Sequence, residues 1–174
     1  MDNNKKLNFG CGHDIKDGFD NIDVVKRDKR ITKTFDFNKL PYPIKDNTYS
    51  YIFASQILEH LFEPNKVLME LWRISKKNSI IEIIVPYYTN KSAYTDMEHK
   101  TYFSDVSFAK LDKKFWEKNV FPGWEKETYY FNVMSIILMP TKFGKFIPKS
   151  LREKLSLFMS GLINGVHVKL EVLK

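Results

Sequence analysis

An α/β fold is predicted for this chain: a doubly wound, mostly parallel sheet that ends in an antiparallel strand pair. Three observations predict it. Short apolar, β-prone runs recur through the first half, at Leu7 to Phe9, Asn21 to Val24, Thr34 to Phe37, Tyr49 to Ala54 and Ile80 to Val85. A helical face lies between the last two of these runs, with Val67, Leu68, Leu71 and Ile74 on one side. Near the end, Val168, Leu170 and Val172 alternate with Lys169 and Glu171, the pattern of an antiparallel strand with one covered face. Strands linked in this order form a parallel sheet with helices on its faces.

The elements follow in chain order. Leu7 to Phe9 runs into Gly10-Cys11-Gly12, a turn whose glycines admit positive φ and close backbone approach. Only the eleven residues from Gly10 to Asp20 precede the next strand. A parallel crossover needs about a dozen, so a full helix does not fit and Asp17-Gly18 reads as a turn. The second strand ends on Asp23, where nucleotide-binding α/β folds keep an acid for ribose hydroxyls. Thr34 to Phe37 gives a third strand, and Leu40-Pro41-Tyr42-Pro43 and Lys45-Asp46-Asn47 are loop chemistry. Tyr49 to Ala54 is the fourth strand, followed by Ser55-Gln56-Ile57-Leu58-Glu59-His60-Leu61. Pro64 suits the first helical position. Ile80 to Val85, closed by Pro86, suits a buried central strand.

Beyond Pro86 the chain turns aromatic and polar, with Tyr87, Tyr88, Tyr94, Tyr102, Phe103, Trp116 and Trp124, and with helical turns around Val106 to Lys118. A sixth strand is expected at Tyr129 to Ile137. Ser150-Leu151-Arg152-Glu153 reads as a capping box. It would open a helix carrying Leu151, Leu155, Phe158, Met159 and Leu162 as one stripe. That stripe is expected to pack on the sheet; Lys149, Arg152 and Lys154 beside it leave a membrane surface or a partner helix as the other option.

At 174 residues, with 43% hydrophobic and 28% charged residues, a single domain over residues 1–174 is expected. Residues 87–128 would form a substrate cap within it. No apolar run is long enough to span a bilayer and no apolar leader opens the chain, so a cytoplasmic protein is expected. The single cysteine excludes an intramolecular disulfide and a multi-cysteine zinc site. The four histidines include no i, i+4 helical pair, and no metal site is expected. Seven basic and two acidic residues from Pro140 onward carry +5 of the net +7. Such a segment either meets an anionic partner (RNA, a phosphosugar, a membrane surface) or is a solvated lysine-rich face.

Gly10 to Gly12, Asp23, Asp36-Phe37 and Ser55-Gln56 all fall at strand C-terminal ends, where open α/β sheets bind ligands. The NAD fingerprint G-x-G-x-x-G is not met, because Ile15 holds the last glycine position. His99, in Asp96-Met97-Glu98-His99, is a candidate for catalysis or substrate contact, or else fixes its loop by a bond to Asp96. His60 is a candidate base, or pins the turn after the fourth strand. His13 either touches a ligand or faces water, and His167 is expected to be structural. Tyr87, Tyr88 and Tyr102 are the candidate substrate contacts among the aromatics.

These blocks together resemble a family. LNFGCG, GFDNIDVV, LPYPIKDNTYSYIFASQILEHL, VLMELWRIS and IIEIIVP look like the small, type 11 class I S-adenosylmethionine-dependent methyltransferases, in order and spacing from residue 7 to 86. HVKLEVLK resembles that family's last antiparallel strand. The resemblance implies a Rossmann-like methyltransferase fold, S-adenosylmethionine as cofactor, and methyl transfer to a small-molecule or glycan acceptor. It places the Phe9-Gly10-Cys11-Gly12 turn against the methionine part of the cofactor and the ribose on Asp23. Val24 would lie beside the adenine, Asp36 and Phe37 around it, and Ser55 and Gln56 below the sulfonium. Asn8 stands where the family has an acid, and the first crossover is short. Those departures, and the basic C-terminal segment, keep two alternatives open: a non-catalytic relative that acts as an interaction protein, and an RNA-modifying or RNA-binding protein.

Overall fold

The computed structural model describes residues 4–118 and 130–174. Seven strands form one sheet in the order β3-β2-β1-β4-β5-β7-β6. The strands are β1 (Lys6–Phe9), β2 (Asp20–Asp23), β3 (Ile31–Thr34), β4 (Tyr49–Ser55), β5 (Ser75–Pro86), β6 (Phe131–Pro140) and β7 (Ile163–Val172). The first five pair in parallel, β7 runs antiparallel to β5, and β6 antiparallel to β7. The predicted sheet and its terminal antiparallel pair are therefore present.

The core follows the apolar runs. Leu7, Phe9, Ile22, Ile52, Ile81, Ile83 and Val85 are fully buried. Between β4 and β5, helix α1 (Pro64–Ile74) begins with Pro64 in its first turn and buries Val67, Leu68, Leu71 and Ile74. Burying each such side chain contributes roughly 1.5–3 kcal/mol. The other helices are short: α2 (Ser92–Thr95), α3 (Asp105–Ala109), α4 (Lys113–Lys118) and α5 (Lys149–Leu155). No helix among the described residues is long and apolar enough to cross a membrane.

Two expectations are corrected. The third strand lies three residues earlier than predicted, at Ile31–Thr34. Phe35 and Phe37 owe their apolar character to an aromatic cluster with Phe9 and Tyr42, not to strand pairing. The late helix stops at Leu155 instead of continuing toward Leu162, and Pro148 rather than Ser150 precedes its first residue. Its inward side chain is Arg152, which donates to the Gly144 and Ile147 carbonyls. Leu151, Phe158 and Met159 are 48%, 87% and 50% exposed, so the helical stripe is broken; of its residues only Leu162, just before β7, is fully buried. Trp124 and the start of the predicted sixth strand at Tyr129 lie outside the described residues, as does the end of the cap expected over residues 87–128.

Candidate functional site

Because β1, β2, β3, β4 and β5 run in parallel, their C-terminal ends share one edge of the sheet. At that edge β1 opens into a turn at Gly10, whose φ of +67° favours glycine, and Gly12 follows at +50°. Gly10 and Cys11 N–H both donate to the Ile22 carbonyl, at 2.9 and 3.1 Å. A Cβ on Gly10 would meet Ile57 Cγ1 at 2.5 Å, so the turn is pressed against the segment leaving β4. Asp23, 4% exposed, closes the turn: its Oδ2 accepts from Gly12 N–H at 2.6 Å and its Oδ1 from Val24 N–H at 2.8 Å. Cys11 is buried beside it, and burial together with the Asp23 charge pushes its thiol up to about 11.

Asn8 is buried and donates to the Asp14 carbonyl at 2.6 Å and to Asn21 Oδ1 at 2.9 Å. Asn21 in turn donates to the Lys16 and Phe19 carbonyls. These two amides hold the helix-free first crossover in place, which gives Asn8 a structural task. The turn, Asn8, His13, Phe53, Ser55 and Gln56 line a cavity of about 260 Å³. Gln56 has a φ of +54°, uncommon for a residue with a Cβ, and its N–H donates to the Ile84 carbonyl at 2.8 Å.

A second cavity, of about 360 Å³, is lined by Tyr87, Tyr88, Tyr94, Tyr102, Asp105 and Leu157 among others. Tyr94 and Tyr102 stack with ring centroids 4.7 Å apart. His60 and His99 are also brought together, with ring centroids 4.6 Å apart and an interplanar angle of 75°. His99 Nδ1 donates to the Ala93 carbonyl at 2.8 Å, so the ring's loop-fixing partner is Ala93 and not Asp96. His167 bonds Glu82 at 2.7 Å across the sheet, in a structural position.

Similar solved structures include a SAM-dependent methyltransferase from Archaeoglobus fulgidus, with 14% identity and a TM-score of 0.63 over 97% of this chain and 86% of that one. Another is an S-adenosylmethionine-dependent methyltransferase from Mesorhizobium loti, with 9% identity and a TM-score of 0.61 over 96% and 90%. A third is the [4+2]-cyclase SpnF, with 12% identity and a TM-score of 0.57 over 97% and 74%. No protein-family model and no curated protein matches the chain. The chain has the class I methyltransferase fold. The SpnF likeness marks the boundary of that statement, since one fold carries different chemistries and the site decides.

The residues expected around the adenine and the glycine turn lie as follows. Phe9 and Phe37 are 0% and 1% exposed and pack on each other at 4.2 Å, so their rings are part of the core. Asp36 lies beyond β3, in a turn where its Oδ1 accepts from Asn38 N–H. Val24 is half exposed just past the end of β2. Sequence reasoning missed Ile57, whose contact with Gly10 no local pattern encodes. It also passed over Glu59 in favour of its neighbour His60. Glu59 is 1% exposed, and neither of its carboxylate oxygens has a hydrogen-bond partner among the described residues. Burial raises its carboxyl to about 7. The signal was there in the sequence, an acid inside an otherwise apolar Ile57-Leu58-Glu59 turn.

Proposed function

We propose that the chain is an S-adenosylmethionine-dependent methyltransferase acting on a small-molecule or glycan acceptor. The observation that carries this reading is Asp23, held at the glycine turn beside the 260 Å³ cavity at the C-terminal edge of the sheet. Gly12 N–H on Oδ2 and Val24 N–H on Oδ1 are its short bonds, at 2.6 and 2.8 Å, while Val25 N–H, Arg27 Nη1 and the Cys11 thiol stand at 3.4, 3.5 and 3.9 Å, long contacts that hydroxyl donors would replace. A carboxylate has about four acceptor positions, which leaves capacity for two ribose hydroxyls. Ser55 and Gln56 line the same cavity and would orient the sulfonium end. The cofactor supplies a methyl group on a positively charged sulfur. The chain's own task is to align two reactants and exclude water, which contributes about 7–11 kcal/mol in well-oriented reactions. The tyrosine-lined cavity suits an acceptor that stacks on aromatic faces, such as a sugar ring.

Calorimetric titration with the demethylated product S-adenosylhomocysteine tests the reading. Charged hydrogen bonds contribute about 1.5–3 kcal/mol, so Asp23→Asn is expected to weaken binding roughly 10- to 150-fold. No binding by the folded chain at millimolar product refutes the proposal, and unchanged affinity in Asp23→Asn removes Asp23 from the site.

A further inference from the structure

The segment leaving β4 places Glu59 and His60 three and four residues beyond Gln56, and the loop after β5 brings His99 to them. One ligand atom from each of Glu59, His60 and His99 lies within 4.8 Å of the other two. Three features of this cluster point the same way. The Glu59 carboxylate is almost wholly buried, and both its oxygens lack partners among the described residues. A buried carboxylate without a partner is strongly unfavourable unless a proton or a cation joins it. The adjacent cation does not serve, because Lys100 Nζ lies over the Phe62 ring, 5.7 Å from its centroid.

His99 supplies the second feature. With Nδ1 donating to the Ala93 carbonyl, its Nε2 carries the free lone pair. A ring nitrogen fixed on a backbone carbonyl is the usual outer support of a metal-bound histidine. The third feature is the placement of His60, whose ring stands 4.6 Å from that of His99, centroid to centroid.

We infer that Glu59, His60 and His99 form a binding site for one divalent first-row transition-metal ion. Two histidines and one carboxylate are a familiar ligand set for zinc and for ferrous iron, and they leave coordination positions open. Donors about 2.1 Å from a tetrahedral ion stand about 3.4 Å apart, so small side-chain rotations gather the three onto one ion.

The location gives the ion a role that rests on the methyltransferase reading. In the chain, Glu59 and His60 follow Ser55 and Gln56 of the cofactor-side cavity, and His99 falls between Tyr94 and Tyr102, which line the aromatic one. An acceptor hydroxyl in an open position would become more acidic and lose its proton to water. The oxygen lone pair would then form the new C–O bond as the C–S bond breaks, its electron pair returning to sulfur.

The test uses the full chain, stripped with a chelator and titrated with Zn²⁺ by calorimetry and with Co²⁺ by visible absorption. One ion per chain is expected, with ligand-field bands for cobalt. Glu59→Gln and His99→Ala should each weaken binding by roughly 100-fold or more, while His13→Ala keeps it. Circular dichroism confirms that each variant is folded, and Glu59→Gln preserves shape and packing if the histidine variant does not fold. No saturable binding by the wild-type chain, or undiminished binding in folded Glu59→Gln, overturns the site. Titration with S-adenosylhomocysteine separates the two proposals: a chain that binds the product but no metal loses only the metal site, and one that binds metal but no product loses only the methyltransferase reading.

Discussion

Gly10→Ala is the sharpest probe of how the glycine turn is built. An added Cβ would lie 2.5 Å from Ile57 Cγ1 and 2.9 Å from Ile57 Cβ and Cδ1, at a backbone φ of +67°. The left-handed backbone costs an L side chain roughly 1–2 kcal/mol, and forcing extra atoms into a packed contact costs roughly 1–3 kcal/mol. Together these give a destabilisation of about 2–5 kcal/mol. Gly12 is the internal control. Its φ is +50°, but nothing lies within 4 Å of the added Cβ, so Gly12→Ala should cost only the backbone part, about 1–2 kcal/mol. Urea unfolding followed by circular dichroism measures both. Ile57→Ala removes two of the three clashing atoms, so the double variant should be less destabilised than the sum of the singles. Equal losses in the two alanine variants, or strict additivity with Ile57→Ala, would refute the close-approach argument.

Three further outcomes are expected. Burial and Asp23 hold the Cys11 thiol near 11, so at about pH 8 only about one thiol in a thousand is ionised. Alkylation by iodoacetamide should therefore be slow in the folded chain and rise sharply in urea; fast native labelling would contradict the buried setting. Hydrogen bonds from Arg73 hold the Glu70 carboxyl below its ordinary value of 4.5. A lowered pKa favours the folded state above the unfolded carboxyl's range and loses that contribution as pH falls through it. Glu70→Gln should thus flatten the loss of urea resistance below about pH 4.5, and an unchanged acid slope would count against this pair. Leu71 is fully buried on α1, and Leu71→Ala should destabilise by about 2–5 kcal/mol in the same unfolding assay.

The sequence by itself determined the fold class and most of the strands, because period-two alternation and β-branched runs are local signals. Ile80 to Val85 and Val168 to Val172 needed nothing beyond their own residues. Phe35 and Phe37 misled the third strand because burial in an aromatic cluster and burial in a sheet leave the same apolar mark. Leu151, Phe158 and Met159 misled the late helix because a helical spacing does not say which face the fold covers, and here the covered side chain is Arg152. The glycine turn and Asp23 were legible as types and spacings. Only the tertiary structure decided that Gly10, and not Gly12, is the closely approached glycine, since Ile57 comes from another strand's exit. The meeting of Glu59 and His60 with His99, about forty residues later, was likewise decided by the fold. Metal-ligand spacing along a chain reveals a site only when its ligands share one local element. Here a turn after β4 and a loop after β5 supply them separately, and the sheet's parallel order brings both to the same edge.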